Sequence, residues 1–102
     1  MALACDLRIA VPTAKFFYPV MKLGFLPQPS DPARMARLIG PARTKLILMG
    51  GQKIEAGEAL SFGLIARIVD EADLLENAQE LCALTVAAQS DIAADIKRMC
   101  SL

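Results

Sequence analysis

The sequence predicts a mixed α/β fold that is incomplete on its own, and three observations lead there. Only residues 7–11 and 64–69 read clearly as strands, and two strands do not make a stable sheet. Five further stretches carry helix signals, and several present an apolar stripe that needs a partner. The hydrophobic share is 55% of 102 residues, above the roughly 45–50% of globular domains. Such a surplus means an unusually large core for the length, or apolar surface that belongs against another chain.

Residues 7–11 are apolar and partly β-branched, interrupted by Arg8 and closed by Pro12-Thr13, which is the pattern of a short buried strand. Residues 15–18 form a second extended piece. Residues 19–32 hold Pro19, Pro27, Pro29 and Pro32 together with Gly24, so the chain there reads as a loop with a defined path, the kind of segment that carries function on a rigid scaffold. Asp31 stands at an N-cap position with Pro32 at the first helical position, and Gly40 ends that helix. Pro41 opens another, whose last turn Leu46-Ile47-Leu48-Met49 is apolar all round and reads as buried before Gly50-Gly51 stops it. A third short helix covers residues 55–62, with Gly63 as its left-handed C-terminal residue. After the strand at 64–69, Asp73 caps a long helix with a stripe of Leu74, Leu75, Ala78, Leu81, Cys82 and Val86. Ser90 caps the last helix, with a second stripe of Ile92, Ile96, Met99 and Cys100. Asp70, Glu71, Asp73, Glu76 and Glu80 read as a solvated face that favours a helix start.

Composition removes several functional classes. Lysine plus arginine equals aspartate plus glutamate, 11 against 11, so no net field gathers nucleic acid or an anionic membrane. No run reaches the roughly 18 apolar residues of a membrane span, and the first ten residues lack the features of a signal peptide; the expected location is the cytoplasm. Cys5, Cys82 and Cys100 lie far apart, no histidine is present and no C-x-x-C pair occurs, so no zinc site is expected and the thiols read as reduced and buried. Cys5 beside Asp6 has no evident base without histidine, so no nucleophilic role is expected of the thiol.

Several segments in succession resemble one family. Ala2-Leu3-Ala4-Cys5-Asp6-Leu7-Arg8-Ile9-Ala10, Ala14-Lys15-Phe16, Lys22-Leu23-Gly24-Phe25-Leu26-Pro27, Leu38-Ile39-Gly40 with Ala42-Arg43, Gly51-Gln52-Lys53-Ile54, Glu58-Ala59-Leu60 and Gly63-Leu64-Ile65 are similar in order and spacing to the enoyl-CoA hydratase/isomerase (crotonase) family. The resemblance covers the later-middle part of that family's polypeptide, and Met1 is expected to be an internal methionine of a longer or broken reading frame. It implies a partial crotonase-like β-β-α spiral core in residues 1–70, incomplete at both ends, and the start of a helical oligomerisation region in residues 71–102. It also implies an acyl-CoA thioester substrate of fatty-acid metabolism, CoA entering only as part of the substrate, no metal or other cofactor, and a homo-oligomer, trimeric or hexameric.

In this family a thioester carbonyl sits between two backbone N–H donors while acidic side chains move protons or orient water. By the resemblance, both donors and the first hydratase glutamate fall before Met1, and the second glutamate position is Val20, which cannot exchange a proton. That leaves a member with different chemistry or one without activity, and negligible hydratase turnover is expected of the 102 residues alone. Pro19, Val20, Leu23, Gly24, Leu26 and Pro27 are the expected acyl pocket. Asp31 is the one carboxylate in the loop, so it is either a relocated acid or base or only a helix cap. Gln28 and Ser30 are loop residues with hydrogen-bonding groups, and Tyr18 either lines the pocket or is a core aromatic. The alternative to an acyl-CoA enzyme is a non-catalytic module that forms a stable oligomer through its exposed apolar helix faces, whereas a fragment of a longer reading frame, expressed alone, is expected to be molten or aggregation-prone.

Overall fold

The computed structural model describes residues 2–100. Their order is β1 (Ile9–Ala10), β2 (Lys15–Phe16), α1 (Val20–Leu23), α2 (Asp31–Ile39), α3 (Pro41–Leu48), β3 (Ile54–Glu55), α4 (Ala56–Phe62), β4 (Arg67–Ile68), α5 (Leu74–Ala87) and α6 (Ser90–Cys100), with short 3-10 turns at Ala2–Ala4 and Glu71–Asp73. The expectation for Met1 and the cap expected of the Ser90 side chain lie outside the described residues and side chains.

The mixed α/β class is as the sequence predicts, with helix dominating and strands of two residues each. β1 pairs in parallel with β4, Ile9 opposite Arg67 and Ala10 opposite Ile68. β2 pairs antiparallel with β3, Lys15 opposite Glu55 and Phe16 opposite Ile54. Both predicted strands are shorter than their apolar runs. Leu64 and Ile65 donate their N–H groups to the Ala59 carbonyl at 2.9 and 3.4 Å, so they complete the turn after α4 before the chain extends. Ala66 and Val69 then donate to the carbonyls of Arg8 and Ala10, and the Arg8 Nε–H donates to the Leu64 carbonyl at 2.7 Å, which lengthens the β1–β4 seam.

The core gathers Met35 and Ile39 of α2, Ile47 of α3, Ile54 of β3, Ala59 of α4, and Leu64 and Ile65 behind it. Ile54 is 0% and Ile47 2% exposed, and burying a side chain of this size is worth roughly 1.5–3 kcal/mol. Gly63 ends α4 at φ 88°, the left-handed cap read from the sequence. The Glu58 carboxylate accepts the Glu55 N–H at 3.4 Å at the other end.

Three expectations are corrected. Residues 19–32 are not all loop, because α1 forms between Pro19 and Gly24, closed by Gly24 at φ 74°. The last turn of α3 is only half covered: Ile47 and Leu48 are buried, whereas Leu46 and Met49 are exposed. Four consecutive helical residues encircle the axis, and only the side facing α2 is packed. The thiols are not buried, since Cys5 and Cys100 are exposed and Cys82 is intermediate. The stripe of α5, expected to serve core or subunit packing, does not enter the core of the single chain: α5 buries no residue fully, and Leu84 and Val86 are 86% and 82% exposed.

The accessible surface is 7520 Å², against about 5,600 Å² for a compact monomer of this mass. The radius of gyration, 15.1 Å, exceeds the roughly 13 Å of a compact domain of this length. An apolar groove lined by Ala78, Cys82, Ala83 and Val86 runs along α5. Among the described residues no helix is long and apolar enough to cross a membrane, and no group of three or more His, Cys, Asp or Glu side chains is placed to hold a metal ion.

Candidate functional site

The segment after β2 is tied back on itself by one side-chain bond. The Tyr18 O–H donates to Asp31 Oδ2 at 2.6 Å, and the Tyr18 oxygen accepts the Gln28 N–H at 3.1 Å. Tyr18 follows β2 and Asp31 opens α2, so this bond joins the two ends of the intervening loop. Local backbone bonds prepare it. Val20 donates to the Tyr18 carbonyl at 2.8 Å, Phe25 donates to the Val20 carbonyl at 2.9 Å, and Asp31 donates to the Gln28 carbonyl at 3.0 Å.

Asp31 is 8% exposed and is the one buried carboxylate among the described residues. Its bond to a phenol is charge-assisted, the stronger class of hydrogen bond. The Asp31 acceptor is also the main reason the Tyr18 phenol is held above its ordinary value of 10.0, with burial and the negative charge of Asp31 adding to the effect and the Gln28 N–H opposing it.

Tyr18 and Asp31 line a cavity of about 270 Å³ whose other walls include Leu3, Phe16, Met35, Ile47 and Leu64, with Arg8 and Lys15 as its charged members. A pocket of apolar walls with a few polar groups is the usual form of a small-molecule site. An oriented carboxylate in such a cavity has the means to accept a proton from a bound molecule.

The acyl-pocket residues expected from the sequence sit apart from this cavity. Pro19, Val20 and Pro27 are half-buried, while Leu23, Gly24 and Leu26 are exposed, Leu26 at 92%. None of the six lines the cavity. Gln28 contributes its backbone N–H, and its side chain is exposed. Ser30 occupies the N-cap position of α2 in an αR conformation and makes no side-chain cap bond.

Asp31 does not cap α2, contrary to one of its two expected roles. It is the first helical residue, and its carboxylate is taken by the phenol instead. The pairing was not foreseen in the sequence, where the signals were separate: the chain's one tyrosine just before Pro19, and the loop's one carboxylate thirteen residues later. Cys5 lies away from the cavity, its carbonyl accepting from Arg8 Nη1, and Asp6 pairs with Lys97 at 3.0 Å on the surface.

Comparison with known proteins adds the wider context. Residues 1–101 match the sequence model of the family described as Enoyl-CoA hydratase/isomerase. The chain is 41% identical over 81 residues to a short-chain-enoyl-CoA hydratase of Clostridioides difficile, covering 79% of this chain and 52% of that protein. It is 36% identical over 81 residues to the carnitinyl-CoA dehydratase of Escherichia coli K12, covering 31% of that protein. The chain therefore spans about half the length of one curated relative and about a third of the other. Among solved structures, a family protein from Hyphomonas neptunium superposes with a TM-score of 0.86 at 37% identity, over 97% of this chain and 38% of that one. A Thermobifida fusca enoyl-CoA hydratase homologue, solved in complex with CoA, superposes with a TM-score of 0.86 at 28% identity, over 94% of this chain and 37% of that one.

Proposed function

The chain belongs to the enoyl-CoA hydratase/isomerase family, and from that premise we propose that it serves a protein acting on an acyl-CoA thioester, in the lyase or isomerase class, with CoA entering only as part of the substrate. The observation that carries this reading is the family match over residues 1–101, and the likeness to a relative solved with CoA supports it. Hydration is not the reaction we assign. Val20 stands where the family resemblance puts the second hydratase glutamate, and a hydrocarbon side chain neither takes nor gives a proton. Pro19, Val20, Leu23, Gly24, Leu26 and Pro27 are assigned the acyl-facing rim, a role in keeping with the apolar surface that Leu23 and Leu26 present.

Residues 1–70 supply the core of this reading and residues 71–102 its oligomerisation region, in a cytoplasmic homo-oligomer. The accessible surface exceeds that of a compact monomer by about 1,900 Å², more than the roughly 800 Å² that each partner contributes to a standard interface. Part of the exposed apolar surface lies on α5 and α6, at Leu75, Leu84, Val86, Ile92, Ile96 and Met99.

The test uses the natural polypeptide that carries these residues. Isothermal titration with butyryl-CoA is expected to show binding, and hydration of a short trans-enoyl-CoA, followed by loss of its ultraviolet absorbance, is expected to stay at the level of an empty-vector control. Absence of thioester binding refutes the assignment of substrate class. Turnover well above the control refutes the assignment away from hydration.

A further inference from the structure

Resting on the acyl-CoA reading, we propose that Tyr18 is a positioning residue: its hydroxyl straps the apolar segment 19–30 into one conformation, and that conformation sets the affinity for the acyl group and not for the CoA moiety.

The stem of the segment is firm. Phe16 pairs with Ile54 across β2 and β3, and the Lys53 ammonium sits over the Phe17 ring at 4.9 Å. Beyond the stem, packing gives little hold: no residue of 19–30 is buried, and Met21, Leu23, Phe25 and Leu26 are 62%, 59%, 69% and 92% exposed. The backbone bonds of the segment are local. Val20 donates to Tyr18, Phe25 to Val20 and Asp31 to Gln28, which curls α1 and the turn before α2 without reaching a neighbouring element. Pro27 and Pro29 have no N–H to give. The returning half of the segment is caught by the Tyr18 hydroxyl, which accepts the Gln28 N–H at 3.1 Å and donates to Asp31 Oδ2 at 2.6 Å. Among the described residues no other side-chain hydrogen bond and no ion pair reaches residues 19–30.

One hydroxyl therefore fastens the segment to both of its ends. Segments with few buried contacts open at low free energy, and ligand-binding loops are drawn from them; surface loops whose ends are held together are frequently functional. With the strap in place, Pro19, Val20, Leu23, Gly24, Leu26 and Pro27 form one rim. Without it the rim is assembled only part of the time, and the affinity of whatever it touches falls by that fraction.

The experiment measures butyryl-CoA and CoA affinity by isothermal titration, and tryptic cleavage after Lys22, on the natural polypeptide. Lys22 is the one lysine or arginine between Lys15 and Arg34, and its cleavage tracks the open population. Tyr18→Phe is expected to bind butyryl-CoA about 10-fold more weakly and to be cut about 10-fold faster, with CoA affinity within about 2-fold of wild type. A purely structural tyrosine lowers the folded fraction and so affects both ligands alike. Asp31→Ala is expected to do the same, and the double variant to fall within about 2-fold of either single one, because both break one strap. In the wild type, butyryl-CoA is expected to slow cleavage after Lys22 and CoA to leave it unchanged. Circular dichroism identifies a variant that fails to fold; the other variant then decides, and if both fail the wild-type protection does. Equal losses for butyryl-CoA and CoA, or variants within about 2-fold of wild type in affinity and cleavage, overturn the proposal. A wild type that binds butyryl-CoA with no slowing of cleavage overturns the proposal and leaves the acyl-CoA reading standing. One that binds no thioester overturns both.

Discussion

Replacing Tyr18 by phenylalanine isolates one interaction, because the ring keeps its packing and only the hydroxyl is lost. Two hydrogen bonds go with it. The Gln28 N–H lies at an exposed residue and passes to water at little cost. The bond to Asp31 is different: a carboxylate 8% exposed loses its phenol donor at 2.6 Å, and hydrogen bonds to charged groups contribute about 1.5–3 kcal/mol. No cavity term adds to this, since a phenyl ring fills the same space. With about 2 kcal/mol lost, the thermal midpoint of a chain of this size falls by roughly 8–16 °C. Circular dichroism melts of wild type and variant at neutral pH and equal concentration measure it. A double-mutant cycle with Asp31→Asn should recover a coupling energy of about 0.5–3 kcal/mol. A Tyr18→Phe midpoint within about 2 °C of wild type would show that the phenol and the carboxylate are not paired in solution, and the positioning argument built on them would fall with it.

Three further outcomes are expected. The chain has one tyrosine and no tryptophan, so tyrosinate absorbance reports Tyr18 alone: its titration midpoint in the folded protein should lie above 10.0 and drop in Asp31→Asn. Because the folded value is raised, the stability Tyr18 contributes is fully present below pH 10 and is lost as pH climbs through the folded value, so the gap in urea midpoint between wild type and Tyr18→Phe should narrow in strong alkali. Ile54→Ala, at a position 0% exposed and opposite Phe16 on β2, should cost about 2–5 kcal/mol in urea unfolding, and a cost under about 1 kcal/mol would mean that β3 does not pack into the core. Leu84→Lys with Val86→Lys places charges on an already exposed stripe; the molecular mass by light scattering should fall toward that of the monomer, and an unchanged mass would remove α5 from any interface.

The parts of the fold legible in the sequence are those written by local backbone chemistry. Gly40 and Gly63 end helices because each needs a positive φ, and a glycine at the end of a periodic run announces that. Helices α2 to α6 were placed from such signals. What the sequence hid was decided by contacts between distant residues. Asp31-Pro32 carries the local signature of a cap, yet the carboxylate accepts from a phenol 13 residues away, and that distant donor won over the local backbone N–H groups. The four residues of α1 are too few for a periodic signal, and its stop at Gly24 sits among prolines that read as loop. The apolar run 46–49 has the composition of core, but composition does not say which side of a helix a neighbour covers. The family resemblance identified the family. It said nothing of the tyrosine–aspartate pair, which exists only once β2 and α2 are folded together.

Gly40 is the stop of α2 and the start of α3 at once, at φ 89° and ψ 158°, with Pro41 immediately after. That torsion pair belongs almost solely to glycine, and an added Cβ would meet nothing within 4 Å, so the requirement comes from the backbone and not from crowding. The two helices thus meet at an elbow with no slack. Helix α2 is a lever of about 13 Å from that elbow to Asp31, and a 10° change in the elbow swings the carboxylate by roughly 2 Å, beyond the tolerance of a hydrogen bond. The residue that governs where the buried acid sits is therefore the one at the other end of its helix, and a change there would loosen the Tyr18 bond without touching either partner.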